Sequence, residues 1–499
     1  MTARLITAAL FLAAALGCGE SENRRQPQLV LLYATCSLNL ESLSPYGRVG
    51  GERAPTQTPN FERFAKRSAL LQRHQTESGQ SGTSFASIFT GHQAPFHQIY
   101  SHSQRISPKL KAVASRFGEA GYSTHSWLEH LMAGAPLGYA EGVPPQNRRP
   151  TKLSAEDPDF LALLDRLAED PSERAFVMTN FTVTHGPYRG RELASYCARH
   201  PDVCEIIERE DAAALRRLYA LNHIDLAWNY EATVEKLGIS EDEQERLDRI
   251  VSILYAADVE HLDRIFGEVV AAIDERGLAD RTVMVFTSDH GEVGIRKNLP
   301  FRWTHGMQLA PDVLNVPAMV FAPGQGIAPL SYQSVSRSID ILPTLLSLSG
   351  IPSFDLPGVD LAAALRGEAS APSLTAFSHT ALLPAVFYQE IEKYPPLLAM
   401  YPEWTPEYMR VGLRREDDFF QLIPGGDGGD LEPALYDVET DKGKERDLFD
   451  PQNPLHQDAI RDLHLYRQKL IDAYKPLGGK LGLPRREQES RLRALGYIE

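Results

Sequence analysis

The chain is poor in the features that would place it quickly. Only four of its 499 residues are cysteine, too few for a disulfide-stapled scaffold. Positive charge is in deficit: 51 Lys+Arg stand against 66 Asp+Glu, a formal net charge of −15. That balance argues against a broad nucleic-acid-binding surface, though a local site can still hold a small anion. Beyond the first twenty residues no apolar run is long enough to span a bilayer. Apolar residues nevertheless make up 43%, enough for a large core, which excludes global disorder.

What is present begins with a leader. Leu5–Leu16 is apolar but short, and Gly17-Cys18-Gly19 follows before a polar stretch. This resembles a bacterial lipoprotein signal. Residues 1–17 are then the signal peptide, Cys18 the lipidation site and 18–27 a tether. The expected product is exported and lipid-anchored in the cell envelope, on its periplasmic or surface side, touching membrane only through that lipid. In such an oxidising compartment Cys197 and Cys204 can pair, or remain two free thiols.

Apolar runs at 28–33, 175–182, 282–287 and 316–321 read as buried strands. Helical patterns alternate with them: one opens at Thr58-Pro59-Asn60, one covers Ser84–Phe89, one covers Ile253–Glu275 and one covers Ile339–Leu348 up to Gly350. Alternating strands and helices predict an α/β fold with a large, mostly parallel sheet between helices. Residues 191–250 are charged and helix-prone, an insertion into a domain spanning 28–375. From 376 to 499 the pattern changes to short antiparallel strands around Val411–Leu422 and Ala434–Val438, a Gly-rich turn at Gly425–Gly429, and a closing helix over His456–Tyr474. Polar clusters after residues 33, 182 and 287 fall at strand carboxyl ends, where ligands gather in such sheets.

Several short motifs run in order. They are Leu43-Ser44-Pro45-Tyr46-Gly47, Thr58-Pro59-Asn60-Phe61, Ser81-Gly82-Thr83-Ser84-Phe85 leading to Thr90-Gly91, His185-Gly186-Pro187-Tyr188, Ser288-Asp289-His290-Gly291-Glu292, Asp340-Ile341-Leu342-Pro343-Thr344, and Leu435-Tyr436-Asp437 with terminal Leu495-Gly496-Tyr497-Ile498. Together they resemble the sulfatase branch of the alkaline-phosphatase superfamily. The resemblance implies that fold with a small C-terminal subdomain, hydrolysis of a small-molecule or glycan sulfate ester, and one divalent metal. It places Ser81 at the nucleophile, His185 and His305 on the ester anion and leaving group, Thr83 and Ser84 beside the substrate, and Asp289 and His290 on the metal. Trp303, beside His305, reads as a pocket wall or as core.

Two positions depart from the family pattern. The motif proline is Thr83 and the motif arginine is Phe85. That arginine supports the formylglycine modification, so the unmodified serine hydroxyl is expected here. Ser81-Gly82-Thr83-Ser84 also resembles phosphoethanolamine transferases, in which Thr83 would be the nucleophile. After the first strand, where relatives carry metal-binding aspartates, this chain has Cys36 and Ser37. Calcium disfavours thiol, whereas cysteine, histidine and aspartate make an ordinary zinc set. Three outcomes stay open: zinc on Cys36, a site completed by Glu41, or no metal. Phosphoester hydrolysis or transfer, and an inactive binding lipoprotein, are the alternatives to sulfate-ester hydrolysis. The aromatic residues Tyr394, Tyr401 and Trp404 are candidates for a substrate rim.

Overall fold

The computed structural model describes residues 24–47, 53–100, 104–294, 302–306, 308–380, 409–424, 431–441 and 444–474. Cys18, the turn at Gly425–Gly429, the aromatic residues at 394–404 and Leu495–Ile498 lie outside them. Eight strands form the main sheet: β1 Leu29–Thr35, β2 Ala69–Gln75, β3 Ser123–Leu128, β4 Arg148–Arg149, β5 Ala175–Asn180, β6 Thr282–Ser288, β7 Ala318–Phe321 and β8 Leu330–Arg337. Their order is β4-β3-β5-β1-β6-β7-β2-β8, and only β7 runs antiparallel to its neighbours. The mostly parallel α/β sheet expected from the sequence is therefore present. A second, antiparallel sheet has the order β12-β11-β10-β9, formed by β9 Ala376–Thr380, β10 Arg410–Arg415, β11 Asp418–Pro424 and β12 Leu431–Asp437. Helix Pro454–Ala473 packs on it through Leu463, Tyr466 and Leu470.

β1 is buried on both faces, as a central parallel strand must be. Strand parity divides its side chains. Leu29, Leu31 and Tyr33 join Phe61, Phe266 and Phe286 on one face, while Val30, Leu32 and Ala34 join Phe85 and Phe89 on the other. Cys36 continues the second set. The helix Ser81–Thr90 lies on that same face, so the cysteine and the helix start are brought together by parity.

Several motif residues hold the fold. The Tyr46 hydroxyl donates to Ala318 O at 3.0 Å and accepts from Ala318 N at 2.7 Å, stapling β7. Asp263 accepts from Asn60 N and Phe61 N, capping the helix Pro59–Ala65. Asp340 takes Arg337 in an ion pair at 2.7 Å and accepts from Val359 N.

Two helices begin earlier than the sequence pattern suggests. The helix expected from Ser84 starts at Ser81, and the one expected from Ile253 runs Glu241–Glu275. The second start is set by a capping box, in which Ser240 Oγ accepts from Glu243 N and the Glu243 carboxylate accepts from Ser240 N. The boundary expected at residue 250 therefore falls inside one continuous helix. The rest of the helical segment comprises Leu193–Arg199, Pro201–Cys204, Glu210–Trp228 and Tyr230–Leu237. Cys197 and Cys204 are joined as a disulfide within it. Among the described residues no helix is long and apolar enough to cross a membrane.

Burial holds several histidines neutral. His74 and His379 are fully enclosed, and burial pushes each down to about 3. Such groups favour the folded state above about pH 6.5, and that advantage is lost as pH falls toward the folded value, because the unfolded chain takes up the protons. Unfolding at pH 5 is expected to take up protons, and His379→Gln to take up about one fewer per chain. Proton uptake measured in weakly buffered urea checks this; equal uptake by both proteins would contradict it.

Candidate active site

The site forms where three strand ends meet. Thr35 of β1 is in register with Ser288 of β6 and bridges to Phe181 beyond β5. Asp289 N donates to Thr35 O at 3.0 Å, carrying the pairing one residue past the strand. Ser37 then adopts a left-handed conformation, with φ 58°. This turn aims its amide at Asp289 Oδ1, 3.1 Å away, while Leu38 N donates to Ser288 Oγ at 3.1 Å. Thr184 Oγ1 donates to Cys36 O at 2.6 Å, tying the His185 loop to the same turn.

Ser81 opens a fully buried ten-residue helix, whose first amides have no intrahelical partner. The loop before it approaches the His305 loop closely: a Cβ on Gly79 would lie 2.9 Å from Gly306 N and 2.7 Å from Val313 Cγ1. Ser81 Oγ lies 2.9 Å from His290 Nε2 and 3.4 Å from Cys36 Sγ. His290 Nδ1 donates to the Gly291 carbonyl at 2.8 Å, so in the neutral ring Nε2 carries the lone pair and accepts from Ser81. Thus Cys36, Ser81, Asp289 and His290 come together.

Two further histidines join them. The His305 ring stacks on His290 at 4.1 Å, and His185 meets His305 edge-on at 4.9 Å. His305 Nδ1 donates to the Glu292 carboxylate at 3.2 Å. His185 Nδ1 donates to Gly186 O at 2.5 Å.

Other expected residues sit differently. Thr83 is buried two residues further along the helix, and its hydroxyl has no hydrogen-bond partner. Ser84 Oγ donates to Ser78 O at 2.6 Å and accepts from Thr76, so it braces the loop before the helix. Phe85, at the motif arginine, packs against Phe89 and His130 with no charge of its own. Glu41, one of the three open possibilities for the metal site, belongs to neither cluster of candidate ligands among the described residues. Trp303 is core, packed on Tyr219 and Tyr230 of the helical segment.

The sequence reading missed three residues. Glu292 orients His305 from thirteen positions away, a pairing without a local signature. His130 follows β3, and its position at a strand carboxyl end was the available signal. His223, from helix Glu210–Trp228, lies so close to Gly186 that a Cβ there would meet its Cε1 at 2.5 Å. No feature of its local sequence marks it.

Burial dominates the electrostatics. It drives the Cys36 thiol well above its ordinary range, with Asp289 adding to the rise. It raises Asp289, opposed by His290, and raises Glu292 strongly. It lowers His185 to about 4, against the pull of the Gly186 carbonyl. One carboxylate oxygen, Asp289 Oδ2, is buried without a hydrogen-bond partner, 3.4 Å from His290 Nε2. The donor set of Cys36, Asp289 and His290, with their ligand atoms all within 4.8 Å of one another, fits a divalent cation.

The chain is similar to known proteins in sequence and in fold. Choline-sulfatase of Rhizobium meliloti (strain 1021) is 25% identical over 463 residues, covering 81% of either chain. Arylsulfatase K of Xenopus laevis is 25% identical over 203 residues, covering 39% of this chain and 32% of its own. A solved protein in complex with its substrate D-glucosamine-2-N,6-O-disulfate matches with a TM-score of 0.63 at 16% identity, over 90% of this chain and 99% of that one. The phosphonate monoester hydrolase from Silicibacter pomeroyi matches with a TM-score of 0.59 at 19% identity, over 89% and 94%. These two structural likenesses speak for the fold. The family model described as Sulfatase matches residues 40–351, more than half of the chain, and the protein therefore belongs to the sulfatase family.

Proposed function

We propose that the protein hydrolyses a sulfate ester through the unmodified hydroxyl of Ser81. One observation carries the reading: Ser81 Oγ stands at the start of a buried helix, 2.9 Å from His290 Nε2, in a cluster completed by His185 and His305. The helix amides supply donors for the ester oxygens, and protonated His305 adds one through Nε2. Sulfatases generally use a metal ion, and Cys36, Asp289 and His290 are the residues that would hold it. Bound there, a divalent cation lowers the pKa of the serine and neutralises the ester oxygens. The serine proton leaves to solvent, Oγ attacks sulfur, and the bond from sulfur to the alcohol oxygen breaks. His305, held by Glu292, protonates the departing oxygen, and water then releases sulfate from Ser81.

The substrate class we propose is a small-molecule or glycan sulfate. Its support is the chemistry of similar proteins, a choline-sulfatase and a protein solved with a disulfated glucosamine. Lipid attachment at Cys18 would hold the enzyme on the outer side of a membrane in the cell envelope. A second reading, transfer or hydrolysis of a phosphate or phosphonate ester through the same serine, is favoured by Phe85. An apolar side chain at the motif arginine leaves no cation there to support a modified residue.

Ser81→Ala should reduce hydrolysis by at least about 10³-fold while leaving the melting temperature nearly unchanged. Release of sulfate from 4-nitrophenyl sulfate and from sulfated glucosamine measures this; metal-loaded protein that cleaves no sulfate ester would sink the leading reading. A phosphoryl adduct on the Ser81 peptide, found by mass spectrometry after incubation with 4-nitrophenyl phosphate, would instead establish the second. His305→Ala is expected to lower kcat about 10²–10⁴-fold on an alkyl ester and much less on a 4-nitrophenyl ester, whose leaving group needs no proton. Equal losses on both esters would remove His305 from the role of acid.

A further inference from the structure

We propose that Cys36, Asp289 and His290, with Ser81 Oγ as fourth ligand, form a zinc-selective tetrahedral site in place of a carboxylate-rich calcium site. The proposal deepens the ester-hydrolase reading by naming its metal, but metal binding can be read without turnover.

Four observations carry it. First, parity along β1 delivers Cys36 to the face that holds the Ser81 helix, so the thiol sits inside the cluster. Second, His290 Nδ1 donates to a carbonyl, which leaves the Nε2 lone pair facing Cys36 and Ser81. Third, Asp289 Oδ1 accepts from Ser37 N and His290 N, while Oδ2, fully buried, makes no well-formed hydrogen bond and lies 3.4 Å from His290 Nε2, beside Cys36 and Ser81. That oxygen is placed to ligate a cation. Fourth, the spacings lie near those of a zinc site. Zinc bonds of about 2.0–2.3 Å set tetrahedral edges of about 3.3–3.8 Å. Cys36 Sγ to Ser81 Oγ and His290 Nε2 to Asp289 Oδ2, each 3.4 Å, fall inside that range; Cys36 Sγ to His290 Nε2 is slightly longer at 3.9 Å, and Ser81 Oγ to His290 Nε2, a hydrogen bond of 2.9 Å, would have to lengthen.

Calcium has little to hold it here. It takes six to eight oxygen ligands. Glu292, the other carboxylate at this strand end, is engaged by His305, and Glu41 belongs to neither ligand cluster among the described residues. The second candidate cluster, Cys36 with His130 and His185, is a poorer ligand set. His130 Nδ1 accepts from Met132 N, so in the neutral ring its proton sits on Nε2, the nitrogen that would have to ligate. Zinc binding would displace the Cys36 thiol proton to solvent and replace the Ser81–His290 hydrogen bond with two bonds to metal.

Cobalt(II) added to metal-free protein tests the assignment. One equivalent should bind and produce the near-ultraviolet thiolate-to-cobalt charge-transfer band with the visible spectrum of a tetrahedral ion. Zinc should erase that spectrum stoichiometrically, and a hundredfold excess of calcium should not. Cys36→Ser, with folding checked by circular dichroism, should lose the band and weaken zinc binding by more than about 100-fold. Cys36→Asp should bind manganese or calcium instead. Cobalt binding without a thiolate band, displacement by calcium, or no stoichiometric binding overturns the proposal, and the wild-type spectrum decides even if Cys36→Ser does not fold. No thiolate band with Ser81-dependent cleavage intact defeats the zinc assignment alone. A thiolate band with no cleavage of any ester defeats the hydrolase reading alone.

Discussion

Everything at the site hangs on the in-register pairing of two central strands. β1 and β6 stay paired from Leu29–Thr282 to Thr35–Ser288, and the ladder is extended once more by Asp289 N on Thr35 O. Because side chains alternate along a strand, a slip of one residue between them would turn Cys36 away from Ser81 and His290. The register is secured by burial on both faces, with Leu31 and Tyr33 in one core and Val30 and Leu32 in the other. Packing energy remote from the chemistry therefore sets the position of the chemistry.

The second constraint is charge in a buried space. Cys36, Ser81, Asp289 and His290 are all fully buried. The cluster meets that cost in two ways: the thiol and His185 are driven toward their neutral forms, and Asp289 draws two backbone amides onto one oxygen. The other oxygen is left over. A site that binds an anionic ester must gain positive charge from somewhere, and in this cluster cation ligation and the first amides of the Ser81 helix are the available sources.

Much of this was legible from residue order. The apolar run at 28–33 marked β1, and Asp289-His290 behind a strand marked a site, because a central strand is recognisable by continuous burial and its end by the first polar residues. Helix starts were harder. Ser81-Gly82 are weak helix formers, so periodicity pointed to Ser84, whereas the buried helix begins at Ser81. The start at Glu241 was missed because Glu241-Asp242-Glu243-Gln244 lacks apolar residues, although the Ser240/Glu243 capping box was written in the sequence.

By itself, the amino-acid order determined which chemistry the protein carries. Strand ends bear Cys36, His185, Asp289 and His290, and Ser81 opens the motif that leads to Thr90-Gly91, since side-chain identity and local periodicity are properties of neighbouring residues. Only the tertiary structure decided which of them act together. It joined Ser81 rather than Thr83 to His290, set Glu292 behind His305, left Glu41 outside the ligand clusters, and turned a cysteine that could have been inert core into a neighbour of Ser81. Those choices rest on register, parity and the left-handed turn at Ser37, which are fixed by contacts between segments hundreds of residues apart.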